Sequence, residues 1–101
     1  MKYKFGDIIL AQIQYTDTFE TKVRPALVLF EEMGNIIVAG VTSNLKMKGI
    51  MLTTKEGMPK KSIIKTNYIF TISEKMVYRF ITQLSKNKKK IIKNKIIDKI
   101  N

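Results

Sequence analysis

Over the first two thirds of this chain the apolar residues come in short runs rich in Ile and Val, broken by polar residues at strand rather than helical spacing. That pattern predicts an all-β body. Residues 5–15 read FGDIILAQIQY, and after the Gly6-Asp7 turn Ile9, Ala11 and Ile13 fall on one side with Leu10, Gln12 and Gln14 on the other, an amphipathic strand. Residues 16–23, TDTFETKV, keep no period and read as the first long loop. Pro25 fixes its own φ and has no N–H, which places Arg24-Pro25 at a strand beginning or an edge rather than in mid-sheet. ALVLF follows as a strand, residues 31–35 as a hairpin turn with Gly34-Asn35, and IIVAGV as the returning strand. Further strands are expected at IMLT, at 62–65, at 68–72 and at YRFIT, with Thr66-Asn67 joining the middle two and SEKMV making a single helical turn before the last.

One long helix is expected, at residues 86–100 behind Ser85 as N-cap. Ile92, Ile96 and Ile100 repeat at i+4, with Ile97 beside them, so one apolar side should pack on the β body while lysines cover the rest. Its first turn carries Lys86, Lys88, Lys89 and Lys90, where the helix dipole disfavours exposed cations by about 0.3–1 kcal/mol each. That placement fits either an anion held nearby or a tolerant surface.

At 101 residues the chain makes one domain, spanning 1–101, and buries only roughly 60–65% of its unfolded surface. A large ligand must then sit on a surface or between subunits. Nineteen Lys and Arg against eight Asp and Glu give a net charge of +11, which points to an anionic partner. A Lys- and Ile-rich composition also arises from biased coding or a heat-adapted proteome, and both causes can act together. The absence of Cys and His removes disulfides, thiol nucleophiles, imidazole acid-base catalysis and most zinc sites, so no metal or cofactor is expected. No apolar run approaches the roughly 18 residues of a membrane span, and the opening MKYKFGDI reaches Asp7 before a signal-like core forms. A cytoplasmic location without membrane contact is the expectation.

Two short runs share one possible task. KVRPALVL holds Arg24, the only arginine before Arg79, and VAGVTSN puts Thr42 and Ser43 at a strand end. If those strands are neighbours, a fixed cation and two hydroxyls converge on one end of a small barrel, an arrangement suited to a phosphate diester. Taken singly, Arg24 also reads as a solvent-facing residue paired with Asp17 or Glu20, and Thr42-Ser43 as a plain turn.

The succession FGDIILAQIQYTDTFETKVRPALVLF, NIIVAGVTSN, GMPKKSIIKTNYIFTISEKMV and the LS-initiated final helix resembles the MazF/PemK family of toxin endoribonucleases over nearly the whole chain. The resemblance implies a mainly β, SH3-like barrel (MazF/CcdB-like) with a C-terminal α-helix. It implies a homodimeric toxin of a type II toxin-antitoxin system that cleaves single-stranded RNA without a metal and pairs with an acidic antitoxin. The family's catalytic arginine and threonine fall on Arg24 and Thr42. Ser43 and Lys22 stand beside them, and Ser62 matches a serine position of the family that faces the groove or starts a strand. Asp7 either organises the first turn or holds Arg24. Three readings stand for Tyr15 and Phe19: both stack on bases, Phe19 covers the groove as a lid, or both belong to a small core beneath the loop; Lys86, Lys88, Lys89 and Lys90 are candidate RNA contacts. The loop before Arg24 lacks the glycines common in the family, and Phe19 gives it an apolar tip. Two other readings remain: a non-catalytic nucleic-acid-binding SH3-like module, and a gyrase-inhibiting toxin of the same fold.

Overall fold

The computed structural model describes residues 2–14 and 21–101. Six strands, β1 (Asp7–Gln14), β2 (Thr21–Glu32), β3 (Asn35–Thr42), β4 (Ile50–Leu52), β5 (Ser62–Ser73) and β6 (Val77–Gln83), precede one helix, α1 (Lys86–Ile100). They form a single antiparallel sheet in the order β4-β5-β3-β2-β1-β6. The sheet curls into a half barrel with β4 and β6 at its ends, so the expected mainly β, SH3-like architecture with a C-terminal helix is the one adopted.

Alternation along the strands sends successive residues to two apolar clusters. Ile8, Leu27, Ala39, Val41 and Ile64 join Leu52, Met58, Leu84 and the helix residue Ile92 in one. Ile9, Ala11, Ile13, Ala26, Val28, Ile36, Val38 and Ile72 make the other, with Tyr3, Phe70 and Val77 packed against it. Burial on both faces explains why the central strands read as nearly continuous Ile, Val and Leu runs.

Several boundaries differ from the sequence reading. Residues 21–23 belong to β2, not to the loop, and the remainder of that loop, with Tyr15 and Phe19, lies outside the described residues. Pro25 stands five residues into β2, opposite Leu10 of β1. The β2–β3 ladder begins only at Ala26–Gly40, so at Pro25 one side of the strand has no ladder for an N–H to join. The hairpin turn is Met33-Gly34, because the register pairs Glu32 with Asn35. Both turn residues have positive φ, 52° and 81°, as a two-residue hairpin whose twist matches its strands requires. The two strands expected at 62–65 and 68–72 are one strand, β5, whose pairing to β3 jumps from Gly40–Lys65 to Ala39–Ile69.

The helix occupies the expected residues, and Ser85 Oγ accepts the Lys88 N–H at 3.1 Å. Its apolar side is used only in part. Ile92 is fully buried and Ile96 packs at the margin of the core, whereas Ile97 and Ile100 are exposed. Beside Ile96 a cleft lined by residues of β5 and by Lys95 and Lys99 opens along the second half of α1.

Candidate active site

Arg24 and Thr42 are brought together by register. The β2–β3 ladder pairs Val28 with Val38, Leu27 with Ala39 and Ala26 with Gly40; continued by two residues it sets Arg24 opposite Thr42, just past the last hydrogen-bonded pair. By parity both share a face with Ala26, Val28 and Val38, the face away from α1. Arg24 is flanked there by short residues, Ala11 across on β1 and Ala26 two positions on, so its long stem is not crowded. The residue is half-buried with its Nε shielded from solvent, and its guanidinium is the planar fork that suits a phosphate.

Thr42 ends β3 in a tied-down loop. Its Oγ1 accepts the Asn44 N–H at 3.1 Å, Asn44 Oδ1 accepts the Lys46 N–H at 3.1 Å, and the Asn44 carbonyl accepts the Met47 N–H at 3.2 Å. Side chains thus close two successive turns, as Thr and Asn do when they compete with regular structure. The Thr42 hydroxyl keeps its own proton to donate, and an alcohol is a weak base at neutral pH, so Thr42 is suited to the part of a donor. Ser43 is exposed beside it, and Lys22, also exposed, lies two residues before Arg24 on the same side of β2.

The other sequence candidates sit elsewhere. Asp7 is buried at the far end of β1; its Oδ2 accepts the Lys4 N–H at 3.0 Å and its Oδ1 accepts from Gln83 Nε2. It lies about 13 Å along β1 from Ala11, the partner of Arg24, so it closes the first turn and does not hold the arginine. Gly6, at φ +94°, makes that turn, and any side chain there would strike the stem of Lys89. Ser62 is buried and donates to the Lys60 carbonyl at 2.9 Å, which fixes the start of β5. Lys88 is bound to the Glu56 carboxylate (3.1 Å) and the Met51 carbonyl (2.9 Å), whereas Lys86 and Lys90 are exposed. All four lysines belong to the helix side of the sheet, opposite the Arg24 and Thr42 side chains.

Two residues of the site were not singled out in the sequence. Asn44 completes the double turn, and the Thr-Ser-Asn run is its visible signal. Gly40 stands next to the site on the same face as Thr42 and brings no side chain into it; a glycine inside an apolar strand is the cue. Among the described residues no three Asp or Glu cluster as a metal site would need, and no helix is long and apolar enough to cross a membrane.

The sequence profile of PemK-like, MazF-like toxins of type II toxin-antitoxin systems matches residues 4–100. Among solved structures, the Mycobacterium tuberculosis toxin MazF-mt6 is similar with a TM-score of 0.74 at 23% sequence identity, over 89% of this chain and 91% of that one. No curated protein matches the sequence significantly.

Proposed function

This chain belongs to the PemK-like, MazF-like toxin family, and from that premise we propose that it is an endoribonuclease that cuts single-stranded RNA without a metal, by attack of the ribose 2′ hydroxyl. The observation that carries the reading is the register that sets Arg24 opposite Thr42 on one face of the sheet. RNA brings its own nucleophile, so the protein has to orient the sugar and stabilise charge on the phosphorane, and histidine is dispensable. The O2′–P bond forms as the P–O5′ bond breaks, leaving a cyclic phosphate on one fragment and a 5′ hydroxyl on the other. The proton lost from O2′ is matched by one gained at O5′. Arg24 donates two parallel hydrogen bonds to the non-bridging oxygens, and Thr42 donates to the phosphate or to the leaving O5′.

In this reading the protein is a homodimeric toxin of the cytoplasm, held in check by an acidic antitoxin. The net charge of +11 supports an acidic partner, and the exposed Tyr78 and Phe80 on the terminal strand β6 support a self-association surface.

The test is incubation of the pure protein with mixed-sequence RNA in EDTA, followed by mapping of the ends. Fragments with 5′ hydroxyls are expected, and Arg24→Ala should slow cleavage by about 10²-fold or more while changing stability by no more than about 1 kcal/mol. RNA left intact across a broad panel, or cleavage abolished by EDTA, overturns the reading. Binding without cutting would make the chain a nucleic-acid module, and gyrase inhibition without RNA cleavage would make it a gyrase-inhibiting toxin.

A further inference from the structure

Past the short strand β4 the edge of β5 has no strand partner among the described residues, and a cleft of about 660 Å³ opens there between the 47–50 segment, β5 and the second half of α1. Lys48, Lys65, Lys95 and Lys99 line it with Thr66 and Asn67, and none of its lining residues is acidic. Lys65 is nine-tenths buried, and its Nζ donates to the Lys48 carbonyl at 3.0 Å and stands 5.3 Å from the centre of the Tyr68 ring. A carbonyl and a ring face steady an ammonium, but neither supplies a full counter-charge. Lys95 and Lys99, one helical turn apart on the same side of α1, lie near its C-terminal end, where the helix dipole favours cations. The fold therefore gathers four lysines at one place with no carboxylate among the lining residues.

Of the residues that line the cleft, Lys65 is the one that β3 pairing brings next to the candidate active site. Thr42 pairs with Ile63 and Gly40 with Lys65, so Thr42 and Lys65 are diagonal neighbours on one face, about 7–8 Å apart, with Ile63 and the bare Gly40 at the other two corners. We propose that this cleft binds a phosphate of the RNA strand next to the scissile one, so that the substrate runs from Arg24 and Thr42 past Gly40 and Lys65 and turns round the edge of β5 to Lys95 and Lys99 on the helix side. The assignment rests on the nuclease reading above, and it adds a subsite that holds the flanking nucleotide. RNA is favoured over an acidic peptide because a chain already seated at Thr42 reaches Lys65 with its next link.

Binding of a short 2′-O-methyl oligonucleotide of randomised sequence, which lacks the attacking hydroxyl and stays intact, tests the subsite separately from cleavage. The Lys95→Gln/Lys99→Gln double variant changes only exposed residues and is expected to weaken binding about tenfold and to lower the slope of log affinity against log salt by about 1. Lys55→Gln/Lys75→Gln removes the same charge at exposed positions outside the cleft and should stay within about twofold of the parent. Lys65→Met, where it folds, should weaken binding further. Unchanged binding in the double variant, or an equal loss in the control, overturns the proposal. So does a poly-glutamate peptide that occupies the cleft and is not displaced by the oligonucleotide. Loss of oligonucleotide binding in the variants, beside a parent protein that cuts no RNA in EDTA, would remove the nuclease and keep the phosphate subsite.

Discussion

The lysines at the start of α1 and those around its end look alike in the sequence but meet different neighbours. At the start, Lys88 is bound by the Glu56 carboxylate and the Met51 carbonyl, and the stem of Lys89 lies over Gly6. These cations are placed where the dipole opposes them, and the protein offsets that with its own acceptors. At the end, Lys95 and Lys99 face Lys48 and Lys65 across a cleft without acidic residues, and the dipole supports them there. The difference teaches that a count of charges does not locate a binding surface; what matters is whether the fold has already provided the counter-charge.

The largest effect that separates the two ends is in packing. Ile92→Ala, in the first half of α1, should cost about 2–5 kcal/mol because it empties a fully buried position. Ile100→Ala, at 79% exposure, should change stability by less than about 0.5 kcal/mol, and urea unfolding of the two variants measures both. Equal losses would mean that the end of the helix is also clamped, and the comparison would fail. Next, Lys88→Met should cost about 1–2 kcal/mol by leaving a mostly buried Glu56 without its cation, seen as a drop in Tm of roughly 4–8 °C per kcal/mol. RNA affinity should barely change, because that charge is already spoken for. The smallest effect belongs to Lys86→Gln/Lys90→Gln: stability within about 0.5 kcal/mol, and a salt slope for oligonucleotide binding that falls less than in the double variant at the cleft. A fall as large would move the RNA path to the helix start.

What the sequence could reveal follows the range of the forces involved. Alternation along Asp7–Gln14, the Ser85 cap and the turn after Ser73 are local devices, and each is where the pattern put it. Gly34-Asn35 looked like the hairpin dipeptide, but the Glu32–Asn35 pair moved the turn back by one residue to Met33, since register is set along the whole ladder. Ile97 and Ile100 keep the helical period of Ile92 and still lie exposed, because burial depends on what stands opposite. The facing of Arg24 and Thr42 was expected only on the condition that their strands were neighbours, and the pairing of β2 with β3 meets that condition. Lys65 gave no signal: one lysine in SIIKTN reads as an ordinary strand residue until β4, the 47–50 segment and α1 surround it.

The jump in β5 pairing from Gly40–Lys65 to Ala39–Ile69 leaves residues 66–68 outside the ladder to β3, in one of the two longest strands of the molecule. Amide protons exchange with deuterium where such a ladder is interrupted, so a slow-exchanging strand is divided into two protected blocks by a short permeable stretch. One block stays with Thr42 and β4, the other with the Met33-Gly34 hairpin. A register shift of this kind bends its strand and sharpens the local twist, so the expected record is faster deuterium uptake at 66–68 than in 62–65 or 69–73.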